Sequence, residues 1–341
     1  MRFAPLQIEK RWGGKALAKQ FNKRPAPSQE ASGVDMDTIG ESFEVYDAGE
    51  DASSLTVNGF LAGNDLYSII ETYMGDIVGD NIYDFFGNQF PLLIKYLNVE
   101  GRLSVQVHPT DEVAAERYNC LGKNEFWYVM DASPQAVIYM GFNRDTTAAE
   151  FYDKCKDGTV PEIMNAYHPK KGDCFFIKAG TVHAAEGGVV IAEIQENSDA
   201  TLRLYDWGFE NNPATRREMH LDEAIDCIEY GKYKASELFR PADMADGVVC
   251  DNKWFTISVL HPEGRYEADP DRFNSFVIYM CVAGSATMDW AGGSEKMETG
   301  STLLVPSMMG PYSLTPLMEG TTLLEVHIRQ IEEDDDSYIT K

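Results

Sequence analysis

Between residues 64 and 86 the apolar positions recur at helical spacing: Leu66, Ile69, Ile70, Tyr73 and Met74 fall at i, i+3, i+4, i+7 and i+8. That spacing predicts a helix, with Asn64 or Asp65 as its N-cap. From Phe90 onward the period changes. FPLLIKYLNVEGRLSVQVHP offers two short strands, 92–97 and 103–108, parted by a glycine-containing connection. DEVAAERYN then reads as a short helix with an acidic first turn. EFWYVMD, AVIYMGF, GDCFFIKAG, GVVIAEIQENS and TLRLYDW follow as strands, aromatic or β-branched and punctuated by Gly, Pro or Asp. Among them, 145–157 (with Asp145 as N-cap) and 161–167 read as short helices, and another is expected over 221–230. After residue 250 the strand signal returns in WFTISVLH, SFVIYMCVAG, SATMDWAGG, STLLVPS and TTLLEVHIRQ, at the regular spacing of a sandwich or barrel. Residues 15–37 are polar, carry two prolines and read as a surface excursion. The acidic EEDDDSY near the end reads as a solvated, frayed tail. The pattern as a whole is that of two β-rich units, the first with helices attached.

Composition narrows the function. The 341 residues suit about two domains, and 44% hydrophobic with 25% charged residues is ordinary for a folded soluble chain. With 29 basic and 55 acidic residues the formal net charge is −26, a field that repels phosphate backbones and argues against a nucleic-acid partner. An anionic substrate therefore needs a local cluster of Lys and Arg. No apolar run approaches the roughly 20 residues of a membrane span, and MRFAPLQIEKRWGG lacks the pattern of a secretory leader. The six cysteines are scattered with no CxxC pair, so reduced thiols and a cytoplasmic location are expected, with no membrane partner.

Three segments carry candidate chemistry. In LSVQVHP, Leu103, Val105 and Val107 alternate with Ser104, Gln106 and His108, so Gln106 and His108 project from the same face of a strand. Taken alone, that face is as well explained by solvent. Glu125 opens the apolar strand EFWYVMD, and His183 sits in the glycine-flanked turn KAGTVHAAEGG, ending a strand. In a small barrel these segments can converge. One amide oxygen, one carboxylate and two imidazoles make a donor set suited to Zn²⁺ with room for substrate oxygens.

LSVQVHPTDE, GKNEFWYV, AGTVHA and EIQENSDATLRLYDW occur in this order, and the sequence resembles the type I mannose-6-phosphate isomerases. The opening Phe3, Pro5, Glu9, Trp12, Gly13 and Gly14, the segment IGESFEV at 39–45 and FPLLIKYL at 90–97 add to the likeness, which is strong to about Trp207 and weaker beyond. The resemblance implies a mainly β fold of two cupin-like jelly-roll barrels with attached short helices. It implies a catalytic unit over 1–245 and a second cupin-like unit over 246–341. It also implies one zinc per chain, held by Gln106, His108, Glu125 and His183, and interconversion of mannose 6-phosphate and fructose 6-phosphate. The chain departs from common family usage at Phe43, often Trp, and at Lys178, often Pro; neither is a ligand.

Aldose–ketose isomerisation moves a proton between C1 and C2 through an enediol. A metal serves as Lewis acid, and a fixed cation such as Arg203 stabilises the developing oxyanion. Arg203 is catalytic by resemblance. Glu193, ten residues earlier, is the candidate base, with Lys123 as a second; either also reads as a plain surface charge. Lys95, Lys123 and Arg203 are the candidate phosphate-binding cations. His168 and His220 read as surface residues. His261 and His327 lie in the second unit, whose corresponding turn VPSMMGPYS holds no histidine, so that unit is expected to be metal-free; Met308 and Met309 within the turn read as core packing, with a partner contact as the alternative. Two rivals share part of the pattern. An iron dioxygenase built on two His and one carboxylate has no need of Gln106, and a non-catalytic sugar-phosphate binder has no need of Arg203 or the metal.

Overall fold

The computed structural model describes residues 1–49, 52–234 and 247–331, with the backbone of 239–240. The expected boundary between units at 245/246 and the acidic stretch 332–338 lie outside the described residues. The first run of strands is β1 (Leu6–Gly14), β2 (Ile39–Val45), β3 (Leu92–Val99), β4 (Val105–Val107), β5 (Glu125–Ala132), β6 (Val137–Phe142), β7 (Met164–Tyr167), β8 (Cys174–Ile177), β9 (His183–Glu186), β10 (Val189–Glu196), β11 (Leu202–Tyr205) and β12 (Phe239–Arg240). The second run is β13 (Gly247–Asp251), β14 (Thr256–Leu260), β15 (Tyr266–Ala268), β16 (Val277–Ala283), β17 (Ser285–Trp290), β18 (Gly293–Glu298), β19 (Thr302–Val305), β20 (Tyr312–Pro316) and β21 (Thr322–His327). They form four sheets, ordered β1-β2-β3-β10-β5-β8-β12, β11-β4-β9-β6-β7, β13-β14-β21-β16-β19 and β15-β20-β17-β18. The fold is mainly β, as expected, and among the described residues none of the four strand orders closes on itself.

Side-chain alternation assigns each sheet two faces, and the cores show how the sheets stack. Trp127, Val129 and Ile191 of the first sheet pack with Ile138, Met140 and Ala185 of the second. Their alternates Phe126, Tyr128, Ala192 and Ile194 point the other way, onto Ile278, Met280, Leu324 and Val326 of the third sheet. The opposite face of that third sheet, with Tyr279, Leu303 and Leu323, packs on Ala286, Met288 and Leu314 of the fourth. The helices are α1 (Ala16–Gln20), α2 (Leu66–Tyr73), α3 (Gly75–Val78), α4 (Asp80–Phe86), α5 (Asp111–Tyr118), α6 (Ala148–Lys156) and α7 (Leu221–Ala224), and Phe151 of α6 with Leu221 of α7 covers the outer face of the second sheet, where Val105, Val107, Ala184 and Leu202 lie. The inner strands β3 and β10 are buried along their whole length because both faces are covered, which is why they read as continuous apolar runs. Each large side chain so buried contributes roughly 1.5–3 kcal/mol.

The helices depart most from expectation. The stretch 64–86 is three short helices, broken at Met74 (φ 51°) and Gly79 (φ 98°), and the Asp65 carboxylate caps the first by accepting from the Ser68 N–H at 2.8 Å. Thr147, not Asp145, caps α6, accepting from the Glu150 N–H at 3.2 Å. Asp145 instead accepts from the Lys232 N–H at 2.7 Å. The expected helix over 161–167 is a 3-10 turn (Val160–Ile163) running into β7, and that over 221–230 is one α turn continued as 3-10. Gly79 is a point where the helices meet the C-terminal sheets, because a Cβ there would lie 2.4 Å from the Asn274 carbonyl oxygen. With φ also left-handed, Gly79→Ala is expected to destabilise the protein by about 2 kcal/mol or more, read as a lower Tm in thermal unfolding. An unchanged Tm refutes this account of the contact. Among the described residues no helix is long and apolar enough to cross a membrane, and no cysteine forms a disulfide.

Candidate active site and metal centre

The short strand β4 places Gln106 directly between Arg203 of β11 and His183 of β9. His108 follows one residue beyond the strand, and Glu125 opens β5 in the facing sheet. The ligand atoms of His108, Glu125 and His183 all lie within 4.8 Å of one another, on side chains that are fully buried. Gln106 reaches the same point: its amide nitrogen lies 3.2 Å from His183 Nε2. The four residues expected from the sequence thus meet at one place, although His183 opens a strand instead of ending one.

The hydrogen bonds around these groups fix what they present to the centre. His108 Nδ1 lies 3.0 Å from the Ala200 carbonyl and His183 Nδ1 lies 2.9 Å from that of Thr181. A carbonyl only accepts, so each Nδ1 carries the proton and each Nε2 turns a lone pair inward. Burial pushes the His108 pKa down to about 4, so its imidazole is neutral near pH 7. Burial opposes the Glu125 carboxylate too, yet the adjoining His108 and the Lys123 ammonium outweigh that and hold Glu125 well below the usual carboxylate range. The outcome is a carboxylate facing imidazole lone pairs at 3.2 Å (His108) and 3.4 Å (His183). His108 Nε2 and Glu125 Oε2 are left buried without a hydrogen-bond partner. Such orphaned acceptors are costly in a dry interior, and a divalent cation among them removes the penalty. The donor set therefore fits Zn²⁺, and a half-turn of the Gln106 amide presents its oxygen as the fourth ligand.

Beside this cluster runs a cross-strand row in the first sheet: Phe43, Lys95, Glu193, Trp127 and Phe175 are successive neighbours on β2, β3, β10, β5 and β8. Glu193 is buried, accepts from Trp127 Nε1 at 2.8 Å and faces Lys95 Nζ at 3.3 Å. Burial raises its pKa, Lys95 counters, and the negative charge of Glu125 adds to the rise. Lys95 also donates to Gln195 at 2.8 Å. Burial alone depresses an ammonium, but Glu193, Glu41, Glu125 and Asp199 outweigh it and raise Lys95. Lys123 is buried within 3.3 Å of both Glu125 Oε1 and Thr201 Oγ1. Lys95, Lys123, Gln106, Glu125, Glu193 and Arg203 all line a single cavity of about 330 Å³.

Arg203 is half-buried, donates through Nη1 to the Glu218 carbonyl at 2.6 Å, and has a buried Nε without a partner. Burial and the neighbouring Arg217 lower its pKa. His220 is not a bystander on the surface: its Nδ1 accepts from the Arg203 N–H at 3.0 Å, and its own N–H donates to the Arg203 carbonyl at 2.8 Å. Lys10, Trp12, Glu41, Asp199 and Arg217 also line the cavity and were not singled out as its residues from the sequence.

The second pair of sheets offers a contrast. There the buried Glu325 is satisfied by Tyr279 Oη at 2.5 Å and Arg272 Nη2 at 2.5 Å, and Tyr279 Oη lies 2.8 Å from Tyr312 Oη. His327 stacks on Phe273 at 3.6 Å and is far from any carboxylate–imidazole cluster, since among the described residues His108, Glu125 and His183 are the one group placed to hold a metal. Met308 is exposed, whereas Met309 packs on the core between the third and fourth sheets. His168 and His261 are exposed.

The family model "Phosphomannose isomerase type I, catalytic domain" matches residues 2–154. The mannose-6-phosphate isomerase ManA of Bacillus subtilis (strain 168) is 30% identical over 319 residues, covering 92% of this chain and 94% of that protein. The crystal structure of the mannose 6-phosphate isomerase from Bacillus subtilis superposes with a TM-score of 0.79 at 25% identity, over 96% of this chain and 99% of that one. A mannose 6-phosphate isomerase solved in a holo, zinc-bound form shares the fold, with a TM-score of 0.72 at 16% identity over 96% of this chain and 99% of that one.

Proposed function

The chain belongs to the type I phosphomannose isomerases, and its activity is the isomerisation of mannose 6-phosphate; we propose that it exchanges mannose 6-phosphate and fructose 6-phosphate through an enediol, with one zinc ion per chain. The observation that carries this is the convergence of Gln106, His108, Glu125 and His183 on one buried point with orphaned acceptors. Gln106 within contact distance of His183 separates the site from a two-His, one-carboxylate iron centre. We read each facing pair of sheets, first with second and third with fourth, as a cupin-type jelly roll. Residues 1–245 are then the catalytic unit and 246–341 a metal-free one whose polar centre is satisfied internally. The scattered thiols and a sugar-phosphate substrate support a cytoplasmic setting.

When bound, zinc supplies Lewis-acid polarisation of the substrate's carbonyl and hydroxyl oxygens. The chain's own residues do the rest. Glu193 takes the proton from C2 of the aldose and returns it to C1, while the hydroxyl proton on O2 passes to O1, so that the C1 aldehyde becomes an alcohol and C2 a ketone; the reverse direction retraces the steps. Trp127 and Lys95 hold the Glu193 carboxylate from opposite sides, so it enters the reaction already oriented. Lys123 is the alternative proton carrier and a contact for the sugar oxygens. Arg203 offers fixed positive charge to the enediolate. Lys95, Lys123 and Arg203 also give the anionic substrate a cationic surround. The test is a coupled turnover assay with metal analysis: zinc near one per chain together with isomerisation supports the reading, and iron in its place refutes it. The KM for mannose 6-phosphate is expected to rise as ionic strength rises from about 0.01 to 0.15 M, because screening weakens the partly exposed contacts. A salt-independent KM contradicts a charge-steered substrate.

A further inference from the structure

We propose that Arg217, anchored by the buried carboxylate of Asp206, is the residue that seats the substrate's phosphate; this rests on the sugar-phosphate reading above. The cavity is lined by five cations, each of which already has a partner, so what separates them is the kind of partner and what it leaves free. Lys95 holds Glu193 at 3.3 Å and Gln195 at 2.8 Å, and Lys123 lies 3.3 Å from Glu125 and from Thr201. Drawing either onto a phosphate strips a buried carboxylate of its counter-charge, an expensive exchange in a dry site. Lys10 is paired with Glu41 at 3.2 Å, and Arg203 donates to Glu218 beside Gln106.

Arg217 is built differently. Its Nε and Nη2 both donate to Asp206, at 3.1 and 2.6 Å, which fixes the guanidinium plane and leaves Nη1 without a hydrogen bond among the described residues. Asp206 is fully buried, whereas the Arg217 side chain is 31% exposed. The same carboxylate accepts from Arg11 at 2.8 Å, and Arg11 in turn lies over the Phe209 ring at 3.7 Å. One buried anion thus collects two guanidiniums and leaves a local excess of positive charge in a chain of net charge −26. A phosphate ester near charge −2 matches that excess, and a planar guanidinium fixed along one edge is suited to receive it.

Position agrees with chemistry. The segment ending at His220 returns along β11, since His220 N–H donates to the Arg203 carbonyl. The lateral order is therefore the Arg217 segment, Arg203, Gln106, His183. Arg217 and Gln106 line the same cavity, with Arg203 of β11 between the Arg217 segment and Gln106. A hexose 6-phosphate carries its phosphate at the far end of the carbon chain from C1 and C2. With C1 and C2 at the metal and Glu193, the phosphate reaches outward past Arg203.

The experiment is steady-state kinetics of the zinc-loaded full chain with mannose 6-phosphate, with inorganic phosphate as competitive inhibitor. Arg217→Gln is expected to raise KM and the phosphate inhibition constant together by at least about tenfold, with kcat within about threefold of the parent and zinc content unchanged. Arg217→Lys, which keeps the charge but loses the fork, is expected to recover part of the affinity and serves as the measurement if the glutamine variant does not fold. A KM and phosphate constant within about twofold of the parent in the folded variants overturn the assignment. Absence of turnover by the parent enzyme instead overturns the isomerase reading on which it rests.

Discussion

His183→Ala is expected to take the metal content from near one zinc per chain to a small fraction of that, and to lower isomerase turnover by at least roughly a thousandfold, about 4 kcal/mol of transition-state stabilisation. The reason lies in how few groups share the centre. His183 Nε2 is within 3.4 Å of Glu125 and 3.2 Å of Gln106, so its removal takes one imidazole ligand and also the contact that orients the amide. The remaining His108, Glu125 and Gln106 come from two strand regions on facing sheets, and nothing else buried there replaces an imidazole. Folding gives an independent readout. Added zinc is expected to raise the Tm of the parent protein, since a ligand that binds only the native state stabilises it by mass action. That rise is expected to vanish in the variant. The control is His327→Ala, which removes the buried histidine stacked on Phe273 in the other pair of sheets and is expected to leave zinc at one per chain. Retention of zinc and turnover by His183→Ala sinks the metal-site reading.

What the sequence made legible follows from periodicity and proximity along the chain. Gln106 and His108 were readable because a period of two puts them on one face, and Glu125 because it stands at the head of an apolar run. The strands buried on both faces, β3, β5, β10 and β16, announced themselves as continuous apolar stretches. Strands with one wet face, such as β18 (GSEKME), carried too little hydrophobic signal to be seen. The helix over 64–86 was over-extended because a 3.6-residue period survives a break at a single left-handed residue, and Met74 gives no sign in the sequence that it adopts φ 51°. The phosphate side of the cavity was illegible for a different reason. Arg217 and Asp206 are joined by a loop whose two ends bind each other, and a bond of that kind leaves no periodic trace. Lys95 and Lys123 looked like spare cations, and only the packed structure reveals that each is spent on a carboxylate.

Glu193→Gln is expected to lower kcat by about 10²–10⁴-fold with zinc retained at one per chain, the range set by removal of a general base. The amide is nearly the shape of the carboxyl and keeps an oxygen for Trp127 Nε1, so orientation survives while basicity is lost. The pH profile separates this from damage to the fold. The base acts only when ionised, so kcat/KM rises with pH through the Glu193 pKa, and burial together with Glu125 moves that limb upward from the ordinary glutamate value. In Glu193→Gln the acid limb is expected to disappear from the residual activity. Stability changes in a predictable direction as well. Lys95 keeps Gln195 but loses its nearest carboxylate, and breaking one side of a buried pair costs roughly 3 kcal/mol, seen as a lower Tm. Lys123 makes the competing prediction. If it carried the proton, Lys123→Gln would remove the pH-dependent limb while Glu193→Gln preserved it. Persistence of the acid limb in Glu193→Gln, at full zinc occupancy, therefore moves the base from the row of Lys95 and Trp127 to Lys123, the neighbour of Glu125.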